Sequence, residues 1–335
     1  MSTETIEWLN QNVLVGFTEK RGEAWHYRAG AQNGETNHYK GAIPIEDVRR
    51  RLFSWKAVTM PTYIQLPTGE LSEVPNKKAI VRDDTYEVLG VPSSSYEPHQ
   101  YEDALLEKVS QVIDDSDLAI GSAGLLKGGA VAWVQIEMPE NVKVSDVEFR
   151  PHLLATTSFN GSIATTYKRT VTVVVCDNTR AMALREEGQD YRVRHTANSQ
   201  MILGEARSAL QVVFNLGESF TKEIEQMLAL KVSDDDYNRF LDVIVPRPVN
   251  KSKQAETKVE RDRLDYLTLW SSDPRVAPWK NTGFGVIQAV NTYRHHLRPT
   301  RGSTMRVERN MMDTLTGVTE LSDREAYGKL LTICK

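Results

Sequence analysis

Residues 117–126 read DLAIGSAGLL, 130–138 AVAWVQIEM, 150–159 RPHLLATTSF and 162–176 SIATTYKRTVTVVVC, and this succession decides the fold class. Each run is rich in β-branched and aromatic residues and is bounded by Gly, Asn or Pro, the signature of strands. Asn160-Gly161 lies between two alternating runs. Both central residues of a type I′ turn need positive φ, so the pair predicts a two-residue hairpin. Lys127-Gly128-Gly129 predicts the hairpin before it. In the last run Ile163, Tyr167, Val171, Val173 and Val175 share one face, taken as the core side. Ala164, Thr166, Lys168, Thr170 and Thr172 share the other, expected to be half-wet. Asn178 is a suitable N-cap for a short helix over TRAMAL. Beyond YRVRH, apolar residues from Ile202 and Leu203 to Met227 and Leu228 recur at helical spacing. They predict a long helix from Thr196 or Asn198, kinked near Gly217.

Upstream, WHYRAGAQNGETNHYKGAIP reads as a loop or short hairpin, and IPIEDVRRRLF has helical spacing at Ile45, Val48 and Leu52 behind Pro44. AVTMPTYIQL and KKAIVRDDTYEVLGV are short extended runs, the first placed at a sheet edge or bulge by Pro61 and Pro67. In YEDALLEKVSQVID the residues Ala104, Leu105, Val109, Val112 and Ile113 form one apolar stripe of a helix. Downstream, Ser233 caps SDDDYNRFLDVIV. PRPVNKSKQAETKVERDR has no large apolar residue except valine and is read as a mobile loop or linker. Helical patterns follow in ERDRLDYLTLW, TGFGVIQAVNTYRHHL and MRVERNMMDTL, then in a last helix where Ser322 and Glu325 have capping-box spacing.

The 335 residues suffice for one large domain or two ordinary ones. No apolar run approaches the roughly 20 residues of a membrane span. The N-terminus is acidic and lacks the basic region and cleavage site of a signal peptide. Two cysteines, Cys176 and Cys334, make no disulfide framework, and a reducing cytosol is the expectation. The net charge of −4 argues against a constitutively sticky nucleic-acid binder, but charge is unevenly placed. Acids dominate from Glu97 to Asp117. Arginines dominate from Arg294 to Arg309.

Several constellations have competing readings. In GSAGLLKGG the lysine precedes the glycine pair and strands flank it, so a hairpin is favoured over a phosphate loop. Cys176 with His195 lacks a third orienting group, and cysteine at a strand end is more often a small core residue. His295-His296 are adjacent and cannot chelate one ion from a helix. Asp234-Asp235-Asp236 follow a serine cap, where the helix dipole explains acids without a metal. Arg49, Arg50 and Arg51 beside Trp55 read as a solvated helix face or as a phosphate contact. Basic residues interleaved with aromatics (Tyr167, Lys168, Arg169, Arg180, Arg185, Tyr191, Arg192 and Arg194) supply the cations and flat rings that single-strand binders use. The bland reading is edge-strand cations and core rings. Lys251 and Lys253 add charge in the linker. Arg294, His295, Arg298, Arg301 and Arg306 form the C-terminal set, read as an anion site or a solvated helix end. No catalytic signature, cofactor motif or metal-ligand spacing stands out.

YEVLGVPSSSYEP, TTYKRTVTVVVCDNTRAMAL, RVRHTANSQMILGEARSAL and GVIQAVNTYRHH together resemble the phage/plasmid-like proteins of bacteriophages and mobile elements, over about residues 80–335. CDNT and RHT, each followed by a predicted helix, carry most of the likeness. Relatives tend to continue a strand where LGVPSSSYEP stands. The resemblance implies a phage-encoded protein acting in the cytoplasm of a bacterial host. By looser analogy, a strand meander followed by a long helix is similar to RecT/Red-beta/Erf-type single-strand annealing proteins, which form rings or filaments.

The expected architecture is α+β: a curved, mostly antiparallel β-meander packed by long helices, with a helical C-terminal section. The expected organisation is an N-terminal adapter at 1–60, the core at 61–245, a mobile basic linker at 246–262 and the helical section at 263–335. The expected function is sequence-independent binding and annealing of single-stranded DNA by a self-associating ring or filament, with no membrane and no cofactor. The alternative is a non-catalytic interaction module that acts on a host machine through the acidic segment 97–117.

Overall fold

The computed structural model describes residues 3–24, 27–113, 118–137, 142–173, 178–181, 191–196, 217–248, 252–300 and 306–334. Helices and antiparallel strands make it α+β, as the patterns predict. The chain divides into two compact units, the first of Met1–Glu140, His152–Arg169 and Gly188–Phe214, the second of Asn141–Pro151, Thr170–Glu187 and Asn215–Lys335.

In chain order the first unit holds helix α1 (Thr3–Asn12), strand β1 (Val13–Val15), α2 (Thr18–Arg21), α3 (Ile45–Leu52), β2 (Ala57–Gln65), β3 (Leu71–Arg82) and β4 (Val88–Gly90). A π-wound turn (Glu102–Leu106) leads into α4 (Glu107–Ile113), then β5 (Ala119–Leu126) and β6 (Val131–Glu137). The meander orders β1, β5 and β6 beside β8 (Val147–Ser158), then β9 (Thr165–Val173), which pairs β11 (Tyr191–Val193). Strands β2, β3 and β4 form a separate sheet. The apolar stripes of α3 and α4 close over the meander: Val48, Leu52, Leu105, Val109, Ile120, Val134 and Leu153 lie in one core. Gly124 is the cross-strand partner of Trp133, and a Cβ there would stand 2.2 Å from the indole ring. Glycine lets the buried ring lie flat across the neighbouring strand.

Both hairpins appear where the turn residues place them. Lys127, Gly128 and Gly129 all have positive φ between β5 and β6, which is a turn and not a phosphate loop. The connection from β8 to β9 is longer than the predicted two-residue turn. Gly161 alone has positive φ there, and Asn160 instead accepts a hydrogen bond from the Ser162 N–H through its side chain. An Asx-type turn has replaced type I′. Pro61 sits at a register shift of β2, as its missing N–H requires.

The second unit has a hairpin of β7 (Val142–Val144) with the start of β8, and β10 (Asn178–Ala181) paired to residues 170–173 of β9. The predicted helix after Asn178 is thus a strand over Asn178–Ala181: its backbone groups satisfy the β9 ladder, which outweighs local helix propensity. Helices α5 (Gly217–Ala229), α6 (Asp234–Ile244), α7 (Lys253–Ser272), α8 (Gly283–Thr292), α9 (Arg306–Thr316) and α10 (Val318–Ile333) complete it. The predicted long helix falls outside the described residues up to Gly217. Ser233 caps α6 as expected, and Asp236 completes a capping box with it. Residues 253–262, read as linker, are helical from the Ser252 cap onward. The last helix starts at Gly317, so Ser322 and Glu325 lie inside it and cap nothing.

Helix α8 is buried along its whole length, and α5, α7 and α10 all pack against it. A Cβ on Gly285 would stand 2.1 Å from the Trp279 carbonyl oxygen, a backbone atom with nowhere to go. Gly285→Ala will therefore destabilise this unit by about 2–3 kcal/mol despite alanine's better helix propensity. Urea denaturation of the variant checks it; an unchanged midpoint contradicts it.

Candidate nucleic-acid interface

The structure gathers three of the C-terminal candidates, Arg294, His295 and Arg298, on one pocket. Its remaining lining comes from Asn310, Asp313, Val318, Thr319 and Ser322. Local chain geometry explains this. After α8 the helix widens into a π turn at Tyr293–Leu297, which Arg298 ends by donating its N–H to the Tyr293 carbonyl at 2.7 Å. Such a turn shifts the phase of the side chains that follow it. Helix α10 begins at Gly317 without a side-chain cap, so the positive end of its dipole lies beside the pocket.

The cations there have different tasks. Arg309 is structural: its guanidinium donates to the carbonyls of Arg294, Arg298 and Pro299 at 2.7–3.2 Å. These are the carbonyls left open where the preceding helix ends. Burial pushes the Arg309 pKa down, and the positive charges of Arg298 and Arg306 push the same way. Arg294 lies 3.8 Å from Asp323, a buried carboxylate that also accepts from Asn291. Arg298 and Arg306 are exposed and have no carboxylate partner among the described residues. His295 is pushed down to about 4 by burial first, then by His296, Arg309 and Arg294. At neutral pH it is an uncharged ring, so it does not serve as one of the cations. Arg301 lies outside the described residues.

The sheet candidates fare differently. Tyr167 is buried and donates its hydroxyl to the Ala104 carbonyl, so it offers no stacking face. Lys168 is 3% exposed and Thr166 4%. The row expected to be half-wet is buried at these positions, because both faces of β9 are covered there. Arg169, Arg180 and Tyr191 are strand residues, with Arg180 opposite Val171 and Tyr191 opposite Tyr167. Arg185 and Lys251 lie outside the described residues. Arg192 and Arg194 point outward, alternating with buried Val193 and His195. Lys253 is exposed at the first residue of α7.

The other constellations resolve into structure. Arg49 pairs Glu46 and Glu102, Arg50 pairs Glu35 and Asp47, and Arg51 donates to Thr36 and Tyr39, which leaves this run committed to its own chain. Asp234 accepts from the Trp270 indole N–H at 2.7 Å, and Asp236 completes the helix cap. The acidic segment gives Glu97 to Lys78 and Glu102 to Arg49. Cys176 lies outside the described residues.

His195 belongs to a network the sequence reading did not anticipate. Its ring stacks between Tyr96, at 4.5 Å, and His99, at 4.1 Å. Its Nδ1–H donates to the Glu97 carbonyl at 2.9 Å, so the neutral ring's Nε2 accepts from the Thr157 hydroxyl at 3.2 Å. Thr157 is then free to accept from Thr165 at 2.8 Å, and Thr165 accepts from His99 Nδ1–H at 2.6 Å. Burial lowers both imidazoles, His99 to about 3. The arrangement clasps residues 96–99 and the RHT segment onto β8 and β9. Histidine within a short motif flanked by alternating strand residues was the available signal.

No curated protein matches the chain, and no solved structure matches it. The segments that build the histidine clasp and the arginine pocket fall almost wholly within residues 88–315, which match a family model described as a domain of unknown function. The match spans more than half the chain, which therefore belongs to that family, DUF932.

Proposed function

We propose that this protein binds single-stranded DNA without sequence preference and promotes annealing, as a self-associating phage-encoded protein in a bacterial cytoplasm. The observation that supports this reading is the pair of exposed guanidiniums unpaired by carboxylates among the described residues: Arg298, which lines the Arg294 pocket, and Arg306, whose charge is felt with that of Arg298 at Arg309. A guanidinium that answers no internal acid is available to phosphate. Arg194, exposed between His195 and Val193, adds a further cation on the first unit. Lys168 and Tyr167 are removed from the contact set by their burial. No helix among the described residues is long and apolar enough to cross a membrane.

Fluorescence anisotropy with a labelled mixed-sequence oligonucleotide tests it. Arg298→Glu with Arg306→Glu will weaken binding by at least about tenfold and reduce the slope of log K against log salt by about 1.4, two contacts at ~0.7 each. An unchanged slope removes these arginines from the interface. Binding of a host protein without any affinity for oligonucleotides would favour the interaction-module reading instead.

A further inference from the structure

The sheet of β2, β3 and β4 presents a feature the nucleic-acid reading does not use. From Thr59 to Asn76 no side chain is buried. This distal part of the β2–β3 hairpin is an arm, about 25 Å long at ~3.4 Å per residue. Its tip turns at Leu66–Glu70, where Gly69 has a φ of 88°. The arm is apolar on both faces. Tyr63 opposite Glu73, and Gln65 opposite Leu71, share one face; Ile64 opposite Ser72 occupies the other. Tyr63, Ile64 and Leu71 are 51%, 54% and 70% exposed, and Met60 and Leu66 are exposed beside them. A two-stranded hairpin with no core beneath it is marginal in water, and a contiguous apolar patch of this kind marks an interaction surface.

Charge along the arm shows what covers it. Glu70 lies in the tip turn and Glu73 further along the arm, opposite Tyr63, with no lysine or arginine between Thr59 and Asn76. Lys77 lies at the stem, in the irregular stretch of β3 between Glu73 and Lys78. Among the described residues none of these three has an ion-pair partner, whereas Lys78 is taken by Glu97 and Arg82 by Asp84. One end is acidic and the other basic, with apolar side chains between. Such a surface is complementary to itself when two copies lie antiparallel.

We propose that the arm is a homodimer contact: two copies pack their arms about a two-fold axis, tip to stem. Glu70 of each copy meets Lys77 of its partner, and the Tyr63 and Leu71 side chains, which share one face, fill the middle. Two-fold association is the commonest symmetry and requires this kind of self-complementarity. Pro61 and Pro75 deny the strand edges a regular ladder, so the arms join through their faces rather than as one continuous sheet. The contact does not depend on the nucleic-acid reading, because none of its residues belongs to the arginine set.

Sedimentation or light scattering of the full chain without nucleic acid, over micromolar concentrations, decides it. The wild type is expected at twice the chain mass. Tyr63→Lys with Leu71→Lys, both at exposed positions and with unchanged circular dichroism, is expected at the single-chain mass. Glu70→Lys alone is expected to weaken association several-fold, and Glu70→Lys with Lys77→Glu to restore it. A wild type that stays at the single-chain mass, associates only when oligonucleotide is added, or keeps its doubled mass in the Tyr63/Leu71 variant overturns the proposal.

Discussion

Glu137→Ala will cost the first unit about 3 kcal/mol of stability, the lower end of the range for breaking a buried ion pair. Glu137 is fully buried at the end of β6, where its cross-strand partner on β8 is His152. His152 Nδ1 lies 2.8 Å from one carboxylate oxygen, and Arg21 of α2 pairs with the other. The carboxylate occupies space that Gly121 leaves open at a bulge of β5, where a Cβ would stand 1.9 Å away. Alanine would take away the carboxylate that faces buried His152, whose Nδ1 also lies 2.9 Å from Gln135 Nε2, while Arg21, 22% exposed, can still reach water. That second point sets the value at the low end. Burial alone would raise the Glu137 pKa, but His152 and then Arg21 outweigh it and hold the carboxyl below its ordinary value of 4.5. A group lowered in the fold stabilises it above the unfolded pKa, and that contribution is lost as pH falls through the lower, folded value. Urea unfolding of the alanine and glutamine variants at pH 7 checks the magnitude. An alanine variant within about 0.5 kcal/mol of wild type, the range of an ordinary surface change, refutes it.

Acidification should act earlier, and through different residues. His99 and His195 are held neutral in the clasp, His99 down to about 3. Below pH 6.5 the unfolded chain takes up protons that the folded chain refuses. Stability therefore falls as pH drops through that range, by up to about 1.4 kcal/mol per unit for each ring. Between pH 7 and 5 the two together should cost roughly 2–4 kcal/mol. This window lies above the Glu137 range, so the two effects separate. His38 and His295 are lowered as well, and the comparison that isolates the clasp is His99→Gln against wild type. The variant should be less stable at pH 7, because it loses the Thr165 bond and the stack. It should also lose less between pH 7 and 5. Equal losses for the two proteins would show that His99 is protonated in the fold.

The meander was legible because its strands carry their own period and their turns carry glycine. The α6 cap was legible because Ser233 stands directly before three acids that suit a helix start. What failed depended on residues distant in the chain. NTRAMAL has the local chemistry of a capped helix, yet residues 170–173 of β9 offer its first four residues a ladder. Lys168 stands in an alternating row that reads as half-wet, and only the folded chain shows that both faces are covered. The first turns of α7 stand in water, so they have no apolar stripe to announce them; Ser252 was the cue. Of the candidate site, the clustering of arginines between Arg294 and Arg309 was visible. Their division of labour was not, because Arg309 serves carbonyls and Arg294 answers Asp323, a residue on another helix. The clasp joins His99 to His195 through Thr157 and Thr165, a contact no spacing rule encodes.

Whether Arg298 and Arg306 are held available for phosphate is read from oligonucleotide affinity across salt concentrations on the intact protein. Binding is expected to be tight at low salt and independent of base sequence, with a steep loss as salt rises and a shallower loss when both arginines are reversed to glutamate. Absence of binding at low salt, or a salt dependence identical in the wild type and the double variant, would contradict it.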